Sequence, residues 1–189
     1  MRNDPLLSLS IRRAASVDAS EVHSLAAAWA FVDRADRARS GFLVSGFTAS
    51  DYRRFARVAD HFYVASTAGG GLCGFALAYS SERIDRAAEW TNSRVSEVVR
   101  EPFVVIKQVA VAPGSESRGV GSALYEDLKR RTGGRPLVAA IVTNPENRRS
   151  ISFHERHGFR HVMTLVPPGE ERMPRAIYRW DPVDRGDRP

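Results

Sequence analysis

The sequence predicts an α/β domain in which a mixed central sheet of about six or seven strands is flanked by helices. Three observations predict it. Helical and extended periods follow one another as two helices, a hairpin, further helix, and then strand, helix, strand, helix, strand, strand. Of the 189 residues, 43% are hydrophobic, enough for the core of one compact domain. A glycine-rich loop joins the strongest strand to a helix, but the strict alternation of a doubly wound sheet is missing.

Residues 7–13 alternate as a first strand, and Asp18 with Glu21 three places on starts a helix reaching Trp29. Thr48 and Asp51 repeat that spacing before a shorter helix ending near Val58. The period then changes: residues 61–67 and 72–79 are rich in β-formers and separated by Ala68 and three glycines, a hairpin. Ile84, Ala87, Ala88, Val95, Val98 and Val99 recur at helical spacing and predict one or two helices within 82–100. Phe103 to Val111 is the strongest strand. Val120, Leu124 and Leu128 form the apolar stripe of the next helix, which Gly133 and Gly134 end. Leu137 to Thr143 suits the middle of a sheet, and Asn147 to His157 reads as a helix stopped by Gly158. Arg160 to Val166 and Arg175 to Trp180 are the last strands, joined by a loop with Pro167, Pro168 and Gly169. The domain is expected to span residues 6–182 with a helical insertion at about 82–101, leaving tails at 1–5 and 183–189.

The longest uninterrupted apolar stretch, Leu137 to Val142, has six residues, against the roughly 18 needed to cross a bilayer. Asp4, Pro5, Arg12 and Arg13 stand where a signal peptide needs an apolar run, so a cytoplasmic protein is expected. Cys73 is the single cysteine, which excludes an intramolecular disulfide and a thiolate metal cluster; no metal is expected. The net charge of +6 favours anionic ligands. Its basic residues are interspersed with acids and form no aromatic-basic stripe, which argues against nucleic acid.

The segment from Val109 to Leu124 puts Gly119 and Gly121 at the mouth of a helix that follows a strand. The first backbone N–H groups there have no intrahelical partner, the helix dipole adds positive charge, and Arg118 adds a formal one, so the mouth suits a phosphate. The alternative is a helix start that merely packs tightly against the sheet. A dinucleotide fingerprint needs a third glycine where Leu124 stands, and a Walker loop needs Gly-Lys-Ser/Thr where Gly121 is followed by Ser-Ala. Neither fits.

A third pattern, V-x-P-x-x-[QR]-x-x-G-x-[GA], is met by Val111, Pro113, Gly119 and Gly121, with Glu116 at the polar position. Downstream, Asn147, Ser150, Phe153, Gly158 and Phe159 meet N-x-x-[AS]-x-x-F-Y-x-x-x-G-F, with His154 in place of the tyrosine. On these two motifs the chain resembles the GNAT superfamily of acetyl-CoA-dependent N-acetyltransferases over about residues 60–165. The resemblance implies a mostly antiparallel sheet whose fourth and fifth strands splay apart to admit the pantetheine arm of acetyl-CoA. It implies that the backbone of Val109, Ala110 and Val111 binds that arm, and that the N–H groups from Ser117 through Arg118, Gly119, Val120 and Gly121 to Ser122 bind the pyrophosphate. Asn147 and His154, seven residues apart and so on one helix face, would reach the arm and the thiol. Acetyl-CoA is the implied cosubstrate.

Direct attack by an amine has two proton problems. An ammonium of pKa about 10.4 must be deprotonated near pH 7, about 4.6 kcal/mol uphill if nothing helps. Coenzyme A must leave as thiolate or thiol, which a nearby donor eases. The resemblance makes His154 the general acid or thiol hydrogen-bond donor; the other reading is a packed helix residue. No base is evident: Gln108 positions a relay water, or Glu82 or Glu101 borders the acceptor cleft, or each is an ordinary polar residue. His157 and His161 read as surface or cap residues and Cys73 as core. The insertion, with Phe42, Phe47 and Tyr52, either shapes the amine pocket or serves as an apolar wall or homodimer contact. The expected activity is acetyl transfer to a primary amine of a small molecule or peptide in a ternary complex. The alternative is a catalytically silent acyl-CoA-binding regulatory module.

Overall fold

The computed structural model describes residues 9–31 and 41–182. The expected tails at 1–5 and 183–189 lie outside them, as does the first part of the expected strand over 7–13. One seven-stranded sheet organises the chain, in the order β1 (Ser10–Arg13), β2 (His61–Ser66), β3 (Leu72–Ser80), β4 (Val104–Val111), β5 (Leu137–Val142), β7 (Arg175–Trp180), β6 (Arg160–Leu165). All neighbours are antiparallel except β4 and β5, which are parallel. The helices are α1 (Ala19–Ala27), α2 (Ala49–Val58), α3 (Trp90–Val98), α4 (Val120–Arg131) and α5 (Arg148–Arg156). Among the described residues no helix is long and apolar enough to cross a membrane.

Each face of the sheet carries its own core. In β3 the sequence alternates large and small residues. Phe75, Leu77 and Tyr79 join the cluster under α1, α2 and α3, with Val22, Tyr52 and Val95. Ala76 and Ala78 face the other cluster, with Leu124, Tyr125 and Leu128 of α4. Small residues there let α4 lie close: a Cβ on Gly74 would stand 2.9 Å from Val120 Cγ1 and 3.2 Å from Leu124 Cδ1. The mouth of α4 is therefore held hard against the sheet, which fixes the loop before it.

Two helix starts separate a real cap from an apparent one. Thr48 caps α2 as expected, its Oγ1 accepting from Asp51 N–H at 3.2 Å while Asp51 accepts from Thr48 N–H at 2.9 Å. The Asp18–Glu21 pair does not do so for α1. Both Asp18 oxygens are taken by the Arg12 guanidinium at 2.7 Å, a short 3₁₀ turn (Ser16–Asp18) comes first, and Glu21 accepts the N–H of Leu72 instead. A bidentate charge-assisted pair outcompetes a cap. The insertion holds a 3₁₀ turn (Ser81–Arg83) and α3, in keeping with the helical spacing.

Candidate active site

The site begins with a bulge. Pairing of β3 with β4 runs Gly74–Val111, Phe75–Ala110, Ala76–Val109 and Leu77–Gln108, then shifts so that Ala78 faces Ile106, leaving Lys107 as the extra residue. On the other side β4 pairs with β5 only at Val104–Leu137, Val105–Val138 and Ile106–Ala139. Beyond Ile106 the two strands part, and a cavity of about 810 Å³ opens, lined on one side by β4 from Val105 onward and on the other by Ala139 to Val142.

Alternation along β4 decides which backbone groups face that gap. Ala112 donates its N–H to Cys73 O at 2.8 Å, so in an antiparallel pair residues 112 and 110 direct both backbone groups at β3. Residues 109 and 111 therefore direct theirs at the gap. The carbonyl of Val111 confirms the parity, because it accepts from Trp29 Nε1 at 2.7 Å. Of the three residues expected to bind the pantetheine arm, Val109 offers its N–H and C=O and Val111 its N–H. Ala110 lines the gap, but its backbone is spent on β3, and the Val111 carbonyl on Trp29.

At the mouth of α4, Gly119 is the N-cap with φ +83°, a left-handed conformation that favours glycine. The first helical bond runs from Ala123 N–H to Gly119 O, so the N–H groups of Val120, Gly121 and Ser122 come before any intrahelical acceptor, and no acidic residue occupies the first turn. Ser117, Gly119, Val120, Gly121 and Ser122 line the cavity; Arg118 is exposed on the same loop. Gly121 also sets the approach of α5 to α4, because a Cβ there would stand 3.3 Å from the Phe153 ring. Glu116 turns back to accept the N–H of Gly114. The polar and small positions of the loop pattern also fit two residues further on, at Arg118, Gly121 and Ala123, which would place the arginine in the polar position.

On α5, Asn147 and His154 both line the gap, as their seven-residue spacing implies. Asn147 is the helix N-cap, its Oδ1 accepting from Ser150 N–H, while its Nδ2 donates to Phe42 O at 3.0 Å and ties down the segment after Gly41. His154 is 7% exposed. Its Nδ1 lies 2.7 Å from the Ser150 carbonyl, which can only accept, so Nδ1 carries the proton. Its Nε2, 2.7 Å from the Tyr125 hydroxyl, is then the acceptor. Burial pushes the pKa of His154 down to about 4, against a smaller opposing effect of the Ser150 carbonyl. The ring is therefore neutral near pH 7 with its one N–H engaged, which leaves no N–H for a thiol. A nearby O–H belongs to Tyr125, a residue that neither the motifs nor the apolar stripe of α4 marked.

The insertion and the bulge supply a further part of the cavity lining. Glu89, Trp90, Thr91 and Asn92 line it together with Lys107 and Gln108. Glu89 Oε2 accepts from Tyr79 OH, from Asn92 Nδ2 at 2.7 Å and from Lys107 Nζ at 2.9 Å. Burial opposes ionisation of Glu89, but these three donors outweigh it and hold its carboxyl below the usual range. Gln108 accepts from Tyr52 OH at 2.6 Å and donates one N–H to Ser45 O at 2.7 Å; these bonds secure the segment around Ser45 that lines the cavity. Glu82 and Glu101 stand outside the cavity, in ion pairs with Arg135 and Arg179. His157 is the C-cap of α5, bound to Ser122 Oγ, and Cys73 is buried. Among the described residues no group of His, Cys, Asp and Glu could hold a metal.

Known proteins resemble this chain in sequence and in fold. The model of the Acetyltransferase (GNAT) family matches residues 23–159. Phosphinothricin N-acetyltransferase of Streptomyces coelicolor is 40% identical over 65 residues, 33% of this chain and 37% of that protein. The match thus spans little more than a third of the curated relative. The structure of Arabidopsis thaliana NAA60 in complex with acetyl-CoA superposes with a TM-score of 0.67 at 14% identity, over 92% of this chain and 99% of the other. An N-acetyltransferase from Staphylococcus aureus Mu50 gives 0.62 at 19% identity, over 92% and 98%.

Proposed function

The chain belongs to the GNAT acetyltransferase family, and from that premise we propose that it transfers an acetyl group from acetyl-CoA to a primary amine by direct attack in a ternary complex. One observation carries the reading: β4 and β5 part after three residue pairs, and the N–H and C=O of Val109 with the N–H of Val111 line the opened side without a strand partner. An extended amide-bearing chain such as pantetheine completes that edge as a strand would. The pyrophosphate goes to the N–H groups of Val120 to Ser122, with Ser117 and Gly119 shaping the turn and Arg118 adding charge from the rim. Residues 6–182 are then one catalytic domain, its insertion at 82–101 forming the acceptor end.

In the reaction a C–N bond forms and the C–S bond breaks; the ammonium gives up two protons, one to solvent and one to the departing sulfur, which leaves as thiol. His154 is a positioning residue in this scheme. Its acceptor nitrogen holds the Tyr125 hydroxyl beside the gap, and that hydroxyl turns to the sulfur as negative charge develops there. Burial pushes the pKa of Tyr125 far up, so the hydroxyl acts by hydrogen bonding rather than by ionising.

Calorimetry with coenzyme A, followed by free-thiol release from acetyl-CoA across amino acids, polyamines, aminoglycosides, peptides and phosphinothricin, tests the proposal. Binding with amine-dependent release is expected, and Tyr125→Phe lowers turnover by about tenfold or more while coenzyme A affinity holds. Absent coenzyme A binding overturns the reading. Binding with release at background for every amine supports the silent module instead.

A further inference from the structure

The acceptor end of the cavity presents two opposite charges side by side. Lys107, the bulge residue of β4, and Glu89, the N-cap of α3, stand 2.9 Å apart on the cavity wall, with side chains 21% and 16% exposed. Glu89 Oε2 is saturated by three donors, but among the described residues Oε1 has only the Asp85 N–H at 3.4 Å. Lys107 spends one N–H on Glu89 and rests over the Phe47 ring at 5.8 Å, so two of its three N–H bonds have no acceptor among the described residues. Each charge keeps a free side.

We propose that the acceptor is a zwitterionic amine, an amino acid whose ammonium meets Glu89 and whose acidic group meets Lys107. This rests on the acetyl transfer proposed above. The pair is neutral as a unit, so a simple monoamine gains at Glu89 what it loses to Lys107 at nearly the same distance. A molecule carrying both charges on the same or adjacent carbons matches the 2.9 Å spacing and gains at both. Burial of the pair strengthens the match, because little water screens it. Trp90, the neighbour of Glu89 in sequence, also lines the cavity and gives an apolar surface for the rest of the side chain. Neither partner alone would select this class.

The test compares kcat/KM, by free-thiol release from acetyl-CoA, for apolar amino acids and for the amines left when their carboxyl group is removed; phenylalanine with phenethylamine is one pair. The amino acid is expected to win by about tenfold or more, the worth of one charge-assisted contact. Lys107→Met brings the ratio to about one, and Lys107→Arg restores part of it; coenzyme A binding by calorimetry reports that each variant is folded. A wild-type ratio near one overturns the proposal and leaves acetyl transfer standing, as does a Lys107→Met variant that binds coenzyme A and keeps the full ratio. Coenzyme A binding without release for any amine overturns both. The wild-type ratio decides even if the methionine variant does not fold.

Discussion

At the scale of single residues, His154 lines the gap with both ring nitrogens already engaged, by Ser150 O and by the Tyr125 hydroxyl. The resemblance implies a side chain here that reaches the thiol, and the structure places it on the gap. What one sequence could not show is where its protons go, because Ser150 O lies one turn back on the same helix and Tyr125 comes from another. Burial without a counter-charge also makes the ring a stability element. Its folded pKa, about 4, lies below the ordinary 6.5, so between those values the unfolded chain binds the extra proton. The contribution is present in full above pH 6.5 and is lost as the pH falls towards 4, on the order of 3 kcal/mol over the window. Urea unfolding at pH 7 and pH 4 should show that loss, and His154→Gln should remove much of it. His61 and His157, also shifted down by burial, keep a remainder. A variant with the same acid slope as the wild type would assign the effect elsewhere.

At the scale of elements, the bulge at Lys107 does two things at once: it ends the β4–β5 pairing and reverses which residues of β4 look at the gap. The strand itself was legible from Val-Val-Ile and its neighbours, since periodicity reports burial. The bulge was not, because it is a property of pairing with β3 and leaves no mark in one strand's own pattern. The three consecutive residues expected at the cosubstrate therefore turn their backbone groups to the gap alternately. Amide exchange reads it directly. In the free protein the N–H groups of Val109 and Val111 should exchange faster than that of Ala110, which is paired with β3. Saturating coenzyme A should slow the first two and leave the third unchanged. Equal protection of all three before ligand is added would mean that the gap is closed.

At the scale of the molecule, most of the element order was legible because helices and strands differ in period, and the second motif landed on its helix because α5 is local. The cluster around Glu89 was not: Glu89, Lys107 and Tyr79 lie on three elements, and only the fold brings them together. The same global view separates two forces on the cosubstrate. The +6 net charge attracts a ligand with phosphates along its whole approach, whereas in the proposed binding mode the pantetheine arm meets the β4 backbone and apolar walls. Salt screens the first over a Debye length of about 10 Å at 0.1 M and about 3 Å at 1 M, and leaves the second largely intact. Coenzyme A should therefore bind several-fold more weakly at 0.5 M than at 0.05 M salt, while pantetheine, which lacks the pyrophosphate, should bind weakly at both with little change. If both ligands lost affinity in parallel, salt would be acting on the gap itself, and the helix mouth at Gly119 would not be holding the pyrophosphate.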